Sequence, residues 1–146
     1  MTSFDHRQVQ ANGISLHVVT AGDPKKPAVM FLHGFPEGWF SWRPIMEALA
    51  EDYFLIAPDL RGYGQSDKPA NGYGMMALTD DVHDVVKQLT AKPITLVGHD
   101  WGGALAWMYW HRFGETLRHS CIRCSSPMQL SDEFSGRRRV AVEGSG

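Results

Sequence analysis

The chain has few of the features that mark secreted, membrane-spanning or nucleic-acid-binding proteins. It holds 2 cysteines in 146 residues, too few for a disulfide framework. No apolar run approaches the roughly 18–20 residues that span a bilayer, and the opening MTSFDHRQVQ lacks the apolar core of a secretory signal. A formal net charge of -2 gives no general attraction to polyanions. These absences predict a cytoplasmic protein that binds neither nucleic acid nor membrane.

What the chain does contain is an ordinary globular composition, with 43% hydrophobic and 21% charged residues. Three short apolar runs end in Gly or Asp and are typical of strands buried on both faces. They are PAVMFLHG (27–34), FLIAPD (54–59) and PITLVGHD (93–100). Residues 14–22 alternate in part before a turn cluster, which predicts an antiparallel strand.

Helical patterns lie between these runs. In residues 41–53, Ile45, Ala48 and Leu49 share one face. Residues 102–113, GGALAWMYWHRF, are apolar nearly all round, which predicts a buried helix. Because strands alternate with helices, the sequence predicts an α/β fold with a mainly parallel sheet.

The clearest amphipathic pattern covers residues 75–92. Its apolar residues recur at helical spacing: Leu78, Val82, Val85, Val86 and Leu89. Its charged residues fall on the other side, with the acids early and the lysine late, as the helix dipole favours: Asp80, Asp81, Asp84 and Lys87. We therefore expect one buried apolar face and one solvated charged face.

The end of the chain is weakly patterned. Residues 118–127 form a poorer strand candidate, and residues 131–146 are polar and rich in Gly. We expect a core over residues 1–130 and a mobile polar tail over residues 131–146.

Asp100 occupies an unusual position, at the point where a buried strand turns into a buried helix. The stretch Gly98-His99-Asp100-Trp101-Gly102 fits G-x-nucleophile-x-G, in which the glycines leave room for a sharp, strained turn. The helix N-terminus favours negative charge at that place. The alternative interpretation is that Asp100 caps the helix, a common use of Asp.

The two cysteines, Cys121 and Cys124, form a single C-x-x-C pair. The chain has no second pair, and a strand would direct residues i and i+3 to opposite faces. The sequence therefore predicts no metal site, and nothing in it calls for a cofactor.

Two further motifs lie upstream of Asp100: HGFPEGWFSWR (33–43) and DLRGYGQSDKP (59–69). Together with LVGHDWGGALAW (96–107), they resemble the epoxide hydrolase branch of the α/β-hydrolase superfamily, over about residues 4–117. The resemblance implies the N-terminal part of an α/β-hydrolase fold, a mostly parallel sheet flanked by helices.

The resemblance also implies roles. Asp100 matches the family's nucleophile, and the backbone N–H groups of Phe35 and Trp101 match its oxyanion donors. The side chains of Phe35 and Trp101 match the lining of the substrate pocket. The other matching positions shape the loop and the elbow and are not catalytic: His33, Gly34, Pro36, Gly98, His99 and Gly102. Pro36 is expected to shape its loop through a cis peptide bond.

A carboxylate nucleophile narrows the chemistry. A serine needs a base to ionise it, whereas a carboxylate is already ionised at neutral pH and can attack a saturated carbon. The resemblance therefore implies that Asp100 opens a small hydrophobic epoxide to form an alkyl-enzyme ester, which a His-activated water then hydrolyses to a diol.

The family's base His, the acid that orients it and the tyrosines of its cap have no match here. His111 and His119 follow the nucleophile but do not match the base, and Tyr63, Tyr73 and Tyr109 do not match the cap tyrosines. We therefore expect a chain truncated before the cap and the last strands, which lacks the groups for turnover.

Two alternatives remain open at this point. One is a hydrolase of the haloalkane dehalogenase type, which shares the carboxylate nucleophile. The other is an inactive fragment that at most binds a partner, including a second copy through an uncovered sheet.

Overall fold

Ten regular elements follow one another within the residues that the structure describes. The computed structural model describes the backbone of residues 2–124 and 140–144 and the side chains of residues 2–119. The elements are β1 (Asp5–Ala11), β2 (Ile14–Ala21), β3 (Ala28–Leu32), α1 (Arg43–Leu49), β4 (Phe54–Pro58), α2 (Met75–Leu89), β5 (Ile94–His99), α3 (Trp101–Phe113), β6 (Leu117–Cys124) and β7 (Val140–Gly144). Short 3-10 helices lie at Trp39–Trp42 and Gly114–Thr116.

The described strands form one sheet in the order β1-β2-β4-β3-β5-β6-β7. β2 runs antiparallel to β1 and to β4, as its alternating pattern predicted. All the pairs from β4 across to β7 are parallel. The predicted α/β fold with a mainly parallel sheet is therefore confirmed. The parallel arrangement also brings the carboxyl ends of β4, β3 and β5 to one edge of the sheet.

The prediction of strands buried on both faces is right for two of the three runs. Every residue of β3 and β4 is buried. β5 instead alternates, with Ile94 and Leu96 buried but Thr95 and Val97 partly exposed. The buried residues join the large core cluster under α2 and α3, while Val97 lies at the margin of a smaller cluster on the other face. That smaller cluster centres on β3 and β4, so it covers β5 incompletely.

The buried side of α1 differs from the one expected. Met46 is fully buried and Trp42 nearly so, whereas Ile45 is 44% exposed and Ala48 is also exposed. The spacing of four residues between Trp42 and Met46 sets both against β3 and β4, where they pack with Phe31. The predicted face of Ile45 and Ala48 is therefore wrong.

The apolar face of α2 is confirmed, except that Leu89 is only partly buried. The expectation that Asp81 faces solvent is wrong, because this residue is 2% exposed. The Arg61 guanidinium donates to both Asp81 carboxylate oxygens, at 2.9 and 2.8 Å, and the Asn12 amide adds a third bond at 3.0 Å. Burial raises the pKa of Asp81, and the bonds from Arg61 and Asn12 oppose that shift. The pair fastens the loop after β4 to α2.

The helix α3 is buried on one side, at Leu105, Ala106 and Tyr109, while Trp107 and Trp110 are only partly buried.

The end of the chain contains a strand that the sequence did not predict. Val140–Gly144, which the sequence assigned to a mobile tail, pairs with β6 as β7. The other tail residues lie outside the described residues. No described helix is long and apolar enough to cross a membrane.

Candidate active site

Asp100 sits between β5 and α3 in a strained backbone conformation. Its φ is 56° and its ψ is -120°, a region that residues with a side chain rarely adopt. The helix starts at once, because the N–H of Gly103 donates to the Asp100 carbonyl at 2.9 Å. Strain of this kind costs about 1–3 kcal/mol and persists only where the surroundings impose it.

Two glycines make this turn possible. A Cβ on Gly98 would collide with the carbonyl oxygen of Gly102, and a Cβ on Gly102 would collide with the carbonyl oxygen of Leu32. All the colliding atoms belong to the backbone, so no side-chain movement relieves the overlap. The space at both positions therefore admits only glycine.

The Asp100 side chain does not cap α3, since it makes no side-chain cap hydrogen bond. Its Oδ2 instead accepts a hydrogen bond at 3.1 Å from the N–H of Phe35, which lies in the loop after β3. The capping interpretation is therefore wrong. The carboxylate is half-buried beside the start of α3, where Trp101 is the first residue and the helix dipole favours an anion.

The loop after β3 approaches the carboxylate closely. A Cβ on Gly34 would lie 2.6 Å from the Asp100 Cβ, so this position also requires glycine. The Phe35–Pro36 peptide bond is cis, as expected from the sequence, and the Glu37 N–H closes the turn on the Gly34 carbonyl at 2.8 Å. This turn holds the Phe35 N–H against Asp100.

His33 joins two loops and has both ring nitrogens engaged. Its Nε2 accepts from the Leu60 N–H at 2.9 Å, so its Nδ1 carries the proton and donates to the Gly34 carbonyl at 2.9 Å. Burial lowers the pKa of His33, an effect that the Gly34 hydrogen bond opposes. A neutral ring with both nitrogens occupied has no site left for a proton from water, and the structural role predicted for His33 stays a prediction.

His99 has a partner that the sequence did not reveal. Its Nδ1 lies 3.6 Å from Oε1 of Glu37, and both side chains are partly exposed. Glu37 follows Pro36 in the loop after β3, and His99 ends β5. The pair therefore links the loop to the strand that precedes Asp100, and the structural role predicted for His99 stays a prediction.

Two residues next to the Asp100 carboxylate, in the loop after β3 and at the start of α3, carry large apolar side chains. Phe35 is 69% exposed and Trp101 is 44% exposed, although both are large and aromatic. The ring of Tyr63 meets Phe35 edge-on, with centroids 6.4 Å apart. An exposed apolar rim around a half-buried acid suits an apolar ligand with a single reactive polar group.

A second acid at the same edge of the sheet escaped the sequence reasoning. Asp59 directly follows β4, is 2% exposed, and accepts a hydrogen bond at 2.7 Å from His17 Nδ1. The backbone N–H groups of Trp39 and Gln65 add bonds of 2.9 and 3.1 Å, and His6 Nδ1 lies 3.0 Å from His17 Nε2. The signal was available, since an acid at the end of a buried strand is what singled out Asp100.

No cluster of three or more His, Cys, Asp or Glu side chains among the described residues could hold a metal ion. The predicted lack of a metal or cofactor stays a prediction. The geometry brings together Asp100, the Phe35 N–H and the start of α3. The catalytic roles that the resemblance implies for Asp100 and for the N–H groups of Phe35 and Trp101 stay predictions.

A protein-family model described as the alpha/beta hydrolase fold matches residues 27–141. This chain therefore belongs to the α/β-hydrolase fold family. The match contains the loop after β3, the elbow at Asp100 and the strands that position them.

Similar proteins narrow the relationship to epoxide hydrolases. A soluble epoxide hydrolase of Corynebacterium sp. (strain C12) is 43% identical over 108 residues, which are 74% of this chain and 37% of that protein. Epoxide hydrolase 3 of Xenopus tropicalis is 40% identical over 129 residues, 84% of this chain and 35% of that protein. An epoxide hydrolase structure from Vigna radiata matches with a TM-score of 0.81 at 38% identity, covering 86% of this chain and 39% of that one. The chain is thus homologous to epoxide hydrolases and spans a little over a third of their length.

Proposed function

We propose that this chain carries out the alkylation step of an epoxide hydrolase. An Asp100 carboxylate oxygen attacks an epoxide carbon, the C–O bond breaks, and the ring oxygen leaves with the electron pair and takes up a proton. The product is a hydroxyalkyl ester of Asp100. The observation that carries this proposal is the strained, half-buried Asp100 carboxylate, with the Phe35 N–H 3.1 Å from its Oδ2.

The surroundings of Asp100 support the step in two ways. The exposed rings of Phe35 and Trp101 offer an apolar surface to the carbon skeleton of the substrate. The carboxylate does not cap the helix, and its Oδ2 instead accepts from the N–H of Phe35. Proximity and orientation of this kind are a large part of catalysis.

Hydrolysis of the ester is the step for which this chain is poorly equipped. Water must attack the ester carbonyl, and the oxyanion that forms would accept bonds from the N–H groups of Phe35 and Trp101. A base must remove a proton from that water. His33 has both ring nitrogens engaged, and the histidine that the family uses as base has no match in this sequence. We therefore propose that the ester accumulates on this chain.

The test is incubation of the chain with styrene oxide, followed by intact mass spectrometry. We expect one added epoxide mass per chain, with little diol formed. D100N should remove the adduct, while D52N, which alters an exposed acid outside the site, should keep it. An unmodified wild-type chain would contradict the alkylation step. Many turnovers to diol would contradict the accumulation of ester.

The haloalkane dehalogenase type remains the second candidate, because an exposed indole beside the nucleophile, as at Trp101, suits a departing halide too. A 1-bromoalkane would then modify Asp100 faster than an epoxide of similar size. An epoxide that reacts faster would exclude this candidate.

A further inference from the structure

Three hydrogen-bonded side chains run in a row from the core to the surface at β1. Asp59 Oδ2 accepts from His17 Nδ1 at 2.7 Å, and His17 Nε2 lies 3.0 Å from Nδ1 of His6. Asp59 and His17 are each 2% exposed, whereas His6 is exposed. The row therefore connects a buried carboxylate to a ring at the surface, and the proposed function uses none of its members.

The pairing of β1 with β2 sets the two imidazole rings side by side. His6 pairs with Val19 and Gln8 pairs with His17, so His6 and His17 are diagonal neighbours on one face of the sheet. Their rings are nearly parallel, with 19° between the planes. The Trp39 ring stands nearly perpendicular to His6, with centroids 5.4 Å apart. The strand register and the indole therefore hold His6 against His17.

The direction of each hydrogen bond follows from Asp59. Its carboxylate also accepts from the backbone N–H groups of Trp39 and Gln65, so all its described partners donate to it. An ionised carboxylate is such an acceptor, which means that His17 Nδ1 carries a proton and that Nε2 of the neutral ring does not. His6 Nδ1 then donates to His17 Nε2, and His6 Nε2 keeps its lone pair. Within the described part of the chain, His6 Nε2 makes no hydrogen bond.

Such a row can activate His6 Nε2 as a nucleophile. An imidazole that attacks an acyl carbon through Nε2 must lose the proton on Nδ1 to form a neutral acyl-imidazole. His17 Nε2 is placed to take that proton, and the ionised Asp59 stabilises the protonated ring that results. A nucleophile beside a base that a third group orients is the arrangement on which nucleophilic catalysis depends.

We propose that His6 is a modification site for activated acyl groups, separate from Asp100 and independent of the function proposed for it. His6 Nε2 attacks the acyl carbon, the bond from that carbon to the leaving group breaks, and the leaving group departs with the electron pair. The His6 Nδ1 proton moves to His17 Nε2. His6 alone bonds to the acyl group, and His17 and Asp59 are positioning residues.

Diethyl pyrocarbonate, which transfers an ethoxycarbonyl group to imidazole nitrogens, is the probe. We would modify the full chain partially at neutral pH and follow each histidine peptide by mass spectrometry. His6 should react about 10-fold faster than His111 and His119, which are also exposed, because general base catalysis assists only His6. D100N should show the same three rates, since the reaction does not involve Asp100.

H17N tests whether the buried ring is responsible. Asparagine can place an amide N–H where His17 Nδ1 donates to Asp59, but it has no nitrogen that takes up the His6 proton. The His6 rate should fall about 10-fold, while the His111 and His119 rates stay within about twofold. H111N, the matched control, should leave the His6 rate unchanged, and circular dichroism checks the fold of both variants.

The outcomes decide the inference in each case. A wild-type His6 that reacts no faster than His111 and His119 would overturn it. A folded H17N chain in which His6 reacts as fast as in wild type would do the same. An equal change at all three histidines in H17N would assign His17 a structural role and also overturn the inference. If H17N does not fold, the ratio of the three rates in the wild-type chain decides alone.

Discussion

Asp59 and Asp100 occupy equivalent places in the fold, yet their surroundings differ in every respect that matters for reactivity. Asp59 follows β4 and Asp100 follows β5, both at the carboxyl edge of the sheet. Asp59 is 2% exposed and accepts bonds from His17 and two backbone N–H groups. Asp100 is half-buried, lies in strained backbone and borders exposed aromatic rings.

The difference shows how one residue type serves two purposes. A buried carboxylate with its acceptor positions filled stabilises the loops around it, and its electron pairs are shielded from a substrate. A carboxylate held in strained backbone at an open rim contributes less to stability but remains accessible to an electrophile. We therefore expect substitutions at the two acids to have opposite consequences.

The largest effect on stability should come from Asp59. D59A leaves the buried His17 and two part-buried backbone N–H groups without their acceptor, so we expect a loss of about 3–5 kcal/mol in the free energy of unfolding. Urea denaturation measures this loss, and D52A, at an exposed acid, should change it by less than about 0.5 kcal/mol. A D59A protein as stable as wild type would remove the distinction between the two acids.

A substitution at Gly102 should break the elbow itself. G102A places a Cβ against the Leu32 backbone carbonyl, and overpacking against rigid atoms costs about 1–3 kcal/mol. We also expect loss of the styrene oxide adduct, because Asp100 moves with the turn. G74A is the matched control, since a Cβ on Gly74 meets no atom within 4 Å. The same stability and adduct yield in both variants would show that the elbow is not tightly packed.

Removal of the Asp100 side chain should act in the opposite direction to D59A. D100G relieves the strain of a φ of 56°, about 1–3 kcal/mol, but it incurs the greater chain entropy of Gly, about 0.5–1 kcal/mol, and loses the bond from the Phe35 N–H, about 0.5–1.5 kcal/mol. We expect a small net gain, below about 1 kcal/mol, in the free energy of unfolding, with complete loss of the adduct. D52G, where nothing is strained, should not gain stability. A clear loss of stability in D100G would mean that Asp100 is structural, like Asp59.

The smallest expected effect is the dependence of the free energy of unfolding on pH. Burial lowers the pKa of His33 from 6.5, so below that pH the unfolded chain binds a proton that the folded chain does not. Stability should therefore fall as the pH drops from 7.5 to 5.5, by at most about 1.4 kcal/mol per pH unit from this residue. Burial also lowers the pKa of His83, which acts in the same direction.

Urea midpoints at the two pH values measure this slope. H33Q should flatten it, whereas H111Q, at an exposed position, should leave it unchanged. A slope that H33Q does not alter would show that His33 is not the buried neutral link between the two loops.

The sequence was sufficient for those elements whose pattern reflects local burial. Local patterns indicate which side of an element meets the core. Examples are the apolar runs of β3 and β4, the alternation of β2 and the apolar face of α2. The glycines around Asp100 likewise indicate that the backbone turns sharply there. The elbow and the loop after β3 could therefore be predicted from residue order.

Other features depend on contacts between segments far apart in sequence. Asp81 has the pattern of a surface acid, but it is buried because Arg61, twenty positions earlier, donates to both of its carboxylate oxygens. Met46 is buried because of where α1 crosses the sheet, which its seven residues do not specify. Tyr63 reaches the site only because β4 lies next to β3. Pairings of this kind have no local signature in a single sequence.

We propose that Asp100 is the reactive carboxylate of this chain and that Asp59 is not. The most direct measurement is peptide mapping by mass spectrometry of the wild-type chain after partial modification with styrene oxide. We expect the adduct on Asp100, with Asp59 and the exposed Asp52 unmodified. Adducts spread evenly over the carboxylates, or present on others and absent from Asp100, would contradict the claim.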